Sequence, residues 1–261
     1  MGLTLDACIA QHQGDRKEQQ DRVALVAHPR QAGVALAVVA DGMGGHTGGA
    51  LAAEQVIHTL STNFQHWGSS EDPQHLLRSC LQEAHTMIKA SRFINEKDPH
   101  STAVALLLLP GGRAVWAHCG DSRLYQFRGI HLQTRTIDHS YVEHLVRIGK
   151  ISAEEAESHP NKNILLTSLG GRDEPKVEFG GVEGLKAGDS LLLCSDGLWA
   201  YFPDEELGAL ISTGTAREVA ARLIDLARAQ GAGEGVNISV ALLKFIDAPK
   251  APAVSPYGKR P

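Results

Sequence analysis

The sequence predicts an α+β fold built on antiparallel β-sheets. Three short apolar or alternating runs follow one another at 102–109, 113–118 and 122–127, and the turn sequences PGG and CGD separate them. Such close succession is typical of antiparallel strands. Helical periodicity lies in other blocks of the chain, which favours α+β over a doubly wound parallel sheet.

Each remaining element is predicted from its apolar spacing and its flanking turn residues. In chain order these elements are strands at 23–26 and 33–40, helices at 50–64 and 73–94, short helices at 139–150 and 152–157, a strand at 190–194, a helix at 215–230 and a strand at 237–245. The second helix is expected to bury Leu76, Leu77, Leu81, Ala84, Met87 and Ile88, and the last one Val219, Ala220, Leu223 and Leu226. Ser152 and Glu155 predict a capping box, and Gly231 is expected to stop the last helix.

The composition argues against several classes of partner. The net charge is −5 at pH 7 and the pI is about 6.2, so no overall basic field is available for nucleic acid. There is no apolar run of roughly 18 residues or more, so no membrane span is predicted. The four cysteines have no paired spacing, which indicates a reduced, cytoplasmic protein without a cysteine-based metal site. Residues 247–261 are rich in Pro and Ala and are predicted to be a disordered tail.

Three aspartates share one local pattern. Asp41 ends VVAD, Asp121 follows AVWAHCG, and Asp196 ends LLLCSD, so an apolar strand leads to a carboxylate in each case. If these strands lie side by side, the carboxylates converge and repel one another unless a cation lies among them. Mg²⁺ or Mn²⁺ is the natural candidate, because both ions prefer oxygen ligands. The alternative is that Asp-Gly is simply a common turn dipeptide.

The glycines in VVADGMGGHTGG fit a metal site that receives a phosphorylated substrate. We expect the Gly42 carbonyl to turn toward a metal, and the glycines at 44, 45, 48 and 49 to leave room for the substrate and allow positive φ. A nucleotide loop is the rival interpretation. Thr47 breaks the G-x-G-x-x-G spacing, however, and no Lys-Ser/Thr pair follows.

The order and separation of DGMGGH, GDSR and SDGLW resemble the metal-dependent protein serine/threonine phosphatases of the PP2C (PPM) family, bacterial branch. Further matching stretches are GDRKEQQD (14–21), STAV (101–104), DHSYVEHLVRIGKI (138–151), LLTSLGG (165–171) and NISV (237–240). The resemblance covers about residues 5–245. It implies a sandwich of two antiparallel β-sheets flanked by helices on both sides. The phosphatase domain would span 1–246, with a mobile flap at about 139–169.

The resemblance also implies roles for individual residues. Asp41 would bridge two metals, the Gly42 carbonyl would bind the second metal, and Asp196 would bind the first. Asp121 and Asp196 would form a third metal site. Arg16 would hold the substrate phosphate, because a guanidinium gives bidentate contacts. Without the family, Arg16 is better interpreted as a solvated surface charge.

The reaction that the resemblance implies is hydrolysis of phosphoserine or phosphothreonine in a protein by a metal-activated water. Two Mn²⁺ or Mg²⁺ ions, with a third in the additional site, would be the cofactors, and a Ser/Thr kinase would oppose the enzyme. His46 would either protonate the leaving oxygen or be a structural neighbour of the site.

Two positions depart from the family pattern. Gln20-Asp21 stands where the family has Glu-Asp, and Val236-Asn237 stands where it has Asp-Asn. We expect Gln20, Asp21 and Asn237 to lie behind the metal ligands, whereas a valine cannot ligate a metal. Two hypotheses therefore stay open: an active phosphatase with weakened metal affinity, and a pseudophosphatase that binds or regulates phosphoproteins. A calcium-binding module is a weaker third, because no EF-hand loop is present.

Overall fold

The computed structural model describes residues 3–44, 47–95, 98–233 and 235–248. Its strands are β1 (Leu3–His12), β2 (Arg22–Ala27), β3 (Ala35–Ala40), β4 (Gly42–Met43), β5 (His100–Ser101), β6 (Ala103–Leu109), β7 (Arg113–Cys119), β8 (Arg123–Arg128), β9 (His131–Arg135), β10 (Glu178–Val182), β11 (Asp189–Cys194) and β12 (Ile238–Asp247). Its helices are α1 (Thr47–His66), α2 (Pro73–Asn95), α3 (Tyr141–Arg147), α4 (Ala153–Glu157), α5 (Asp196–Trp199), α6 (Asp204–Ile211) and α7 (Ala216–Gly231).

Two five-stranded sheets form the centre of the molecule. The strand order is β1-β12-β11-β8-β9 in the first sheet and β10-β7-β6-β3-β2 in the second, and β4 pairs with β5 in a small ribbon. Every strand pair described is antiparallel. The α+β prediction and the expected two-sheet sandwich are confirmed.

The sheets pack face to face, and helices cover their outer faces. Ala37 and Val39 of β3 join Leu191 and Leu193 of β11 in the apolar layer between the sheets. The alternate residues of β3 pack against α1 and α2, and those of β11 and β12 pack against α5, α6 and α7. The central strands are therefore buried on both faces, which explains why they are continuous apolar runs such as AVALLLL in β6.

Two expectations about the long helices were wrong. Met87 is 51% exposed, because Ile88, the next residue, occupies the inner face of α2, and successive helical residues are separated by about 100°. Gly231 is the last residue of α7 and does not stop it. The left-handed residue at the end of the helix is Ala232, with φ of 47°. Leu226 is half-buried and packs against the core together with the buried Ala227.

The Ser152–Glu155 capping box is present at the start of α4. Strand β12 extends to Asp247, the first residue of the predicted tail, and positions 249–261 of that tail lie outside the described residues. Among the helices that the structure describes, none is both long and apolar enough to cross a lipid bilayer.

Candidate metal centre

The acidic turns come from both sheets and meet at one end of the sandwich. Asp41 directly follows β3, and Asp121 comes two residues after the end of β7 in the same sheet. Asp196 comes from the other sheet, two residues after β11, where it begins α5. All three residues line one cavity of about 640 Å³. The three carboxylates therefore converge, as the sequence pattern predicts, and they come from both sheets rather than from one.

A fourth aspartate, Asp21, lies beside Asp41 for a reason that the strand register explains. Strand β2 pairs with β3 so that Arg22 faces Ala40, and the next step of this antiparallel register places Asp21 opposite Asp41. The Asp21 side chain is buried, and its Oδ2 accepts a hydrogen bond of 2.6 Å from the Ser195 hydroxyl. Asp21 is thus fixed between the two sheets at the floor of the cavity.

Burial raises the pKa of each of these carboxyl groups. The pKa of Asp41 lies well above its ordinary value because of burial and then because of Asp21, Asp196 and Asp121. Burial and Asp196 raise the pKa of Asp121 in the same way, and burial raises the pKa of Asp21 to about 6. Burial also raises the pKa of Asp196, although the Gly197 N–H and Arg16 favour its charged form and act against this rise.

The four aspartates fit hard divalent cations. Asp21 and Asp196 both raise the pKa of Asp41 through their charges, and carboxyl groups that lie so close either share a proton or flank a cation. Of the described residues that line the cavity, only Arg16 and Lys17 are cationic, and both are exposed. A cluster of oxygen donors with unbalanced negative charge is the donor set that Mg²⁺ and Mn²⁺ prefer.

Gly42 and Gly49 lie too close together for side chains. A Cβ on Gly42 would lie 2.0 Å from the Gly49 carbonyl oxygen, and a Cβ on Gly49 would lie 2.6 Å from the Gly42 oxygen. The backbone of Gly42 lines the cavity. Gly49 therefore makes room for the Gly42 backbone at the start of α1, not for a substrate as expected. Gly44 does have a positive φ, of 114°.

Asn237 holds the loop that carries Arg16. Its amide donates hydrogen bonds to the carbonyl oxygens of Gln13 (2.7 Å) and Glu18 (3.0 Å), and its Oδ1 accepts one from the Gln20 N–H at 2.7 Å. Arg16, Gln20 and Asn237 all line the cavity with the aspartates. Val236 also lines it, at the position where the family pattern has an aspartate.

Other cavity residues were not singled out by the sequence pattern. They are Asp15, Lys17, Glu18, Met43, Asn163 and Leu165. Asn163 and Leu165 lie in the predicted flap, and Leu165 is the first residue of the matching stretch LLTSLGG, so the resemblance marked the segment but gave these residues no role. His46, the candidate acid, and Gly45 lie outside the described residues.

A second polar cluster, formed by His118, His139 and Glu178, brings its donor atoms within 4.8 Å of one another. Three observations argue against a metal there. The two imidazole rings are stacked, with an interplanar angle of 22°, so their lone pairs cannot both point at one ion. His139 Nδ1 already accepts a hydrogen bond from the Gly120 N–H, and the ammonium of Lys176 pairs with Glu178. We interpret the two histidines as a neutral, stacked pair at the start of the segment 139–169.

Comparisons with known proteins agree with this geometry. The family model for protein phosphatase 2C matches residues 10–235. Protein phosphatase PhpP of Streptococcus pneumoniae is 34% identical over 223 residues, which cover 82% of this chain and 87% of the relative. The structure of the S. agalactiae serine/threonine phosphatase superposes with a TM-score of 0.85 at 30% identity, over 94% of this chain and 100% of that one.

A second solved structure is similar and contains metal. It is the catalytic domain of serine threonine protein phosphatase PstP in complex with two manganese ions, with a TM-score of 0.79, 30% identity and coverage of 94% and 100%. The family model spans most of the chain, and both the fold and the acidic cavity agree with it. The chain belongs to the protein phosphatase 2C family.

Proposed function

We propose that this protein is a metal-dependent phosphatase that hydrolyses phosphoserine and phosphothreonine in protein substrates. The observation that carries the proposal is the group of four aspartates, Asp21, Asp41, Asp121 and Asp196, which lines one open cavity together with Arg16. The named activity of the bacterial relatives supports it. A serine/threonine kinase that phosphorylates the same substrates would be the opposing enzyme.

Asp41, Asp196 and the Gly42 carbonyl would hold two divalent cations, Mn²⁺ or Mg²⁺, and Asp121 with Asp196 would hold a third. The two manganese ions of the PstP complex support the dinuclear arrangement. Cations bound there supply Lewis-acid chemistry by lowering the pKa of a coordinated water. Asp21 would stay behind these ligands, because its Oδ2 is occupied by Ser195.

Arg16 would bind the phosphate of the substrate. Its guanidinium offers two parallel N–H donors to the phosphate oxygens, and Asn237 holds the loop that carries it. Lys17 adds a second positive charge in the cavity wall. These residues would orient the phosphoryl group and neutralise its charge while the bond to the serine or threonine oxygen breaks. His46 is the candidate that would donate a proton to this oxygen.

The segment 139–169 would act as a flap beside the cavity, within a phosphatase domain at 1–246. Asn163 and Leu165 lie in the cavity wall, and Leu165 bridges to Ser140 at the base of the segment. A cytoplasmic location is part of the proposal. It is supported by the four cysteines, all of which are free.

The alternative function is a pseudophosphatase that binds phosphoproteins without hydrolysing them. The observation that favours it is Val236, an apolar residue in the cavity wall at the position where the family pattern has an aspartate. The presence of Asp41, Asp121, Asp196 and Arg16 together favours the enzyme, because a site released from its function is expected to lose such residues.

A phosphopeptide assay with Mn²⁺ distinguishes the two functions. We expect turnover by the wild type and a loss of at least about a hundredfold in Asp41→Ala, since even groups behind metal ligands contribute roughly 10–100-fold. Asp225→Ala, which removes an exposed carboxylate on α7, is the matched control and should keep full activity. A wild type without turnover that gains it in Val236→Asp would support the pseudophosphatase instead.

A further inference from the structure

Thr102 makes two hydrogen bonds with the backbone of Asp41. Its N–H donates to the Asp41 carbonyl oxygen at 2.8 Å, and its hydroxyl accepts from the Asp41 N–H at 3.0 Å. Thr102 is fully buried, so both contacts are made away from water. The peptide groups on both sides of the Asp41 side chain are therefore fixed by one residue.

The same threonine contacts the turn that carries Asp121. Its hydroxyl lies 2.7 Å from the hydroxyl of Ser122, which is also buried. A Cβ on Gly120 would lie only 2.7 Å from the Thr102 methyl group. Thr102 is thus packed against the residues on both sides of Asp121, while its backbone holds Asp41.

The position of Thr102 in the sheet explains these contacts. Strand β6 lies between β3 and β7, and Thr102 directly precedes it. The register of the two pairs, Val39 with Val104 and Ala103 with Cys119, continues to place Thr102 opposite both Asp41 and Gly120. No main-chain ladder joins β3 to β7 directly, so the spacing of their acidic turns depends on the residue between them.

We propose that Thr102 is a positioning residue that sets the separation of Asp41 and Asp121, with its hydroxyl linking the Asp41 amide to Ser122. The inference rests on the proposed function, because the separation of two carboxylates matters through the cations that they hold. Metal affinity is sensitive to such a change, since ligand distances are tolerated only within about 0.2 Å. Thr102 belongs to the STAV stretch, whose Ser101 also pairs with Gly42 and donates a hydrogen bond of 3.2 Å to the Asp41 carbonyl oxygen.

Two substitutions separate the hydroxyl of Thr102 from its methyl group. Thr102→Val keeps the packing against Gly120 and removes the hydroxyl, and Thr102→Ser does the reverse. Thr136→Val is the matched control, because Thr136 makes the same pair of contacts with Leu124 in the other sheet: its hydroxyl accepts from the Leu124 N–H at 3.0 Å and its N–H donates to the Leu124 oxygen at 3.0 Å. Ser122→Ala breaks the link from its other end.

The measurement is Mn²⁺ affinity, from the EPR signal of free Mn²⁺ during titration, together with the unfolding midpoint. We expect Thr102→Val and Ser122→Ala each to raise the Mn²⁺ dissociation constant by about tenfold or more, with the double variant no worse than Thr102→Val. Thr102→Ser and Thr136→Val should bind Mn²⁺ like the wild type, although Thr136→Val should unfold as readily as Thr102→Val. If Thr102→Val does not fold, the comparison between Ser122→Ala and Thr136→Val decides.

Unchanged Mn²⁺ affinity in both Thr102→Val and Ser122→Ala would overturn the inference and leave the proposed function intact. Equal weakening in Thr136→Val would also overturn it, because the effect would then be general destabilisation. A wild type that binds Mn²⁺ but hydrolyses no phosphopeptide would overturn the proposed function alone, since the titration still decides the role of Thr102. A wild type that binds no Mn²⁺ would overturn both.

Discussion

Val236 is the side chain that most alters the chemistry of the cavity. It is half-buried in the cavity wall, and its Cγ2 lies 2.9 Å from the position that a Cβ on Gly197 would take. This close packing places it next to Asp196, the residue before Gly197. A carboxylate at 236 would therefore lie near Asp196 and add a negative charge where the proposed first cation is held.

We expect Val236→Asp to tighten Mn²⁺ binding by about tenfold or more, because a further oxygen ligand is supplied to a hard cation. Asparagine has the shape of aspartate without its charge, so the Val236→Asn variant should bind Mn²⁺ with close to the wild-type affinity. Isothermal titration with Mn²⁺ measures both. Weaker or unchanged binding in Val236→Asp would show that position 236 does not face the ion.

His139 is the residue whose ionisation should affect stability most clearly outside the cavity. Burial, and then the neighbouring His118, lower its pKa to about 4. The ring Nδ1 accepts from the Gly120 N–H at 3.2 Å, and the backbone N–H of His139 donates to the Gly120 carbonyl oxygen at 3.0 Å. The neutral ring therefore holds the start of the segment 139–169 against the turn before Asp121.

The stability that neutral His139 contributes should be complete above pH 6.5 and fall as the pH drops toward 4. In this range the unfolded chain binds a proton that the folded His139 does not, so the free energy of unfolding decreases with decreasing pH. His139→Gln keeps an acceptor for Gly120 and should lack this part of the pH dependence. Urea denaturation from pH 7 to pH 4 gives the comparison.

The buried aspartates change stability in the opposite direction over this range, because their pKa values are raised. They are present in both proteins, so the difference between wild type and His139→Gln isolates the histidine. Parallel curves for the two proteins would contradict the assignment.

The residues that carry charge could be predicted better than those that hold them in place. Asp41, Asp121, Asp196 and Arg16 stand in short, specific stretches, and the structure brings them to one cavity. The contacts of Thr102 depend on which strands lie side by side, and nothing in STAV indicates that. The same limit applies to Gly49. A glycine is needed there because the Gly42 carbonyl oxygen lies 2.6 Å from the position that a Cβ on Gly49 would take.

At the scale of elements, strands buried on both faces were the most predictable. Strands β6, β7, β8 and β11 are apolar runs bounded by turns, and each was expected close to its observed limits. Strands β1 and β9 were missed, because they lie at the sheet edges and none of their residues is fully buried. The edge strand β10, EFGGV, was hidden by its two glycines, which resemble a turn. Helix α5 was missed because it has only four residues, and α6 because no side-chain cap marks its start.

The layer between the sheets should dominate the stability of these elements. Leu106 of β6 is fully buried in that layer, and we expect Leu106→Ala to lower the free energy of unfolding by about 2–5 kcal/mol. Met87→Ala on the exposed side of α2 should change it by about 0.5 kcal/mol or less. Urea denaturation measures both, and similar values for the two variants would contradict the layer assignment.

At the scale of the whole molecule, the acidic cavity exists only because two sheets stack. Asp41 and Asp121 belong to one sheet and Asp196 to the other, and Asp21 is held to the opposite sheet through Ser195. Local patterns predict strands that end in carboxylates, but they do not say which sheet each strand joins. The family resemblance supplied that information at the sequence level.

The central claim is that these aspartates flank paired divalent cations, and anomalous diffraction from crystals grown with Mn²⁺ tests it most directly. We predict two manganese peaks in the cavity, about 3.5–4 Å apart, with Asp41 between them and Asp196 beside one. Peaks confined to other parts of the molecule, or no manganese among Asp21, Asp41, Asp121 and Asp196, would contradict the claim.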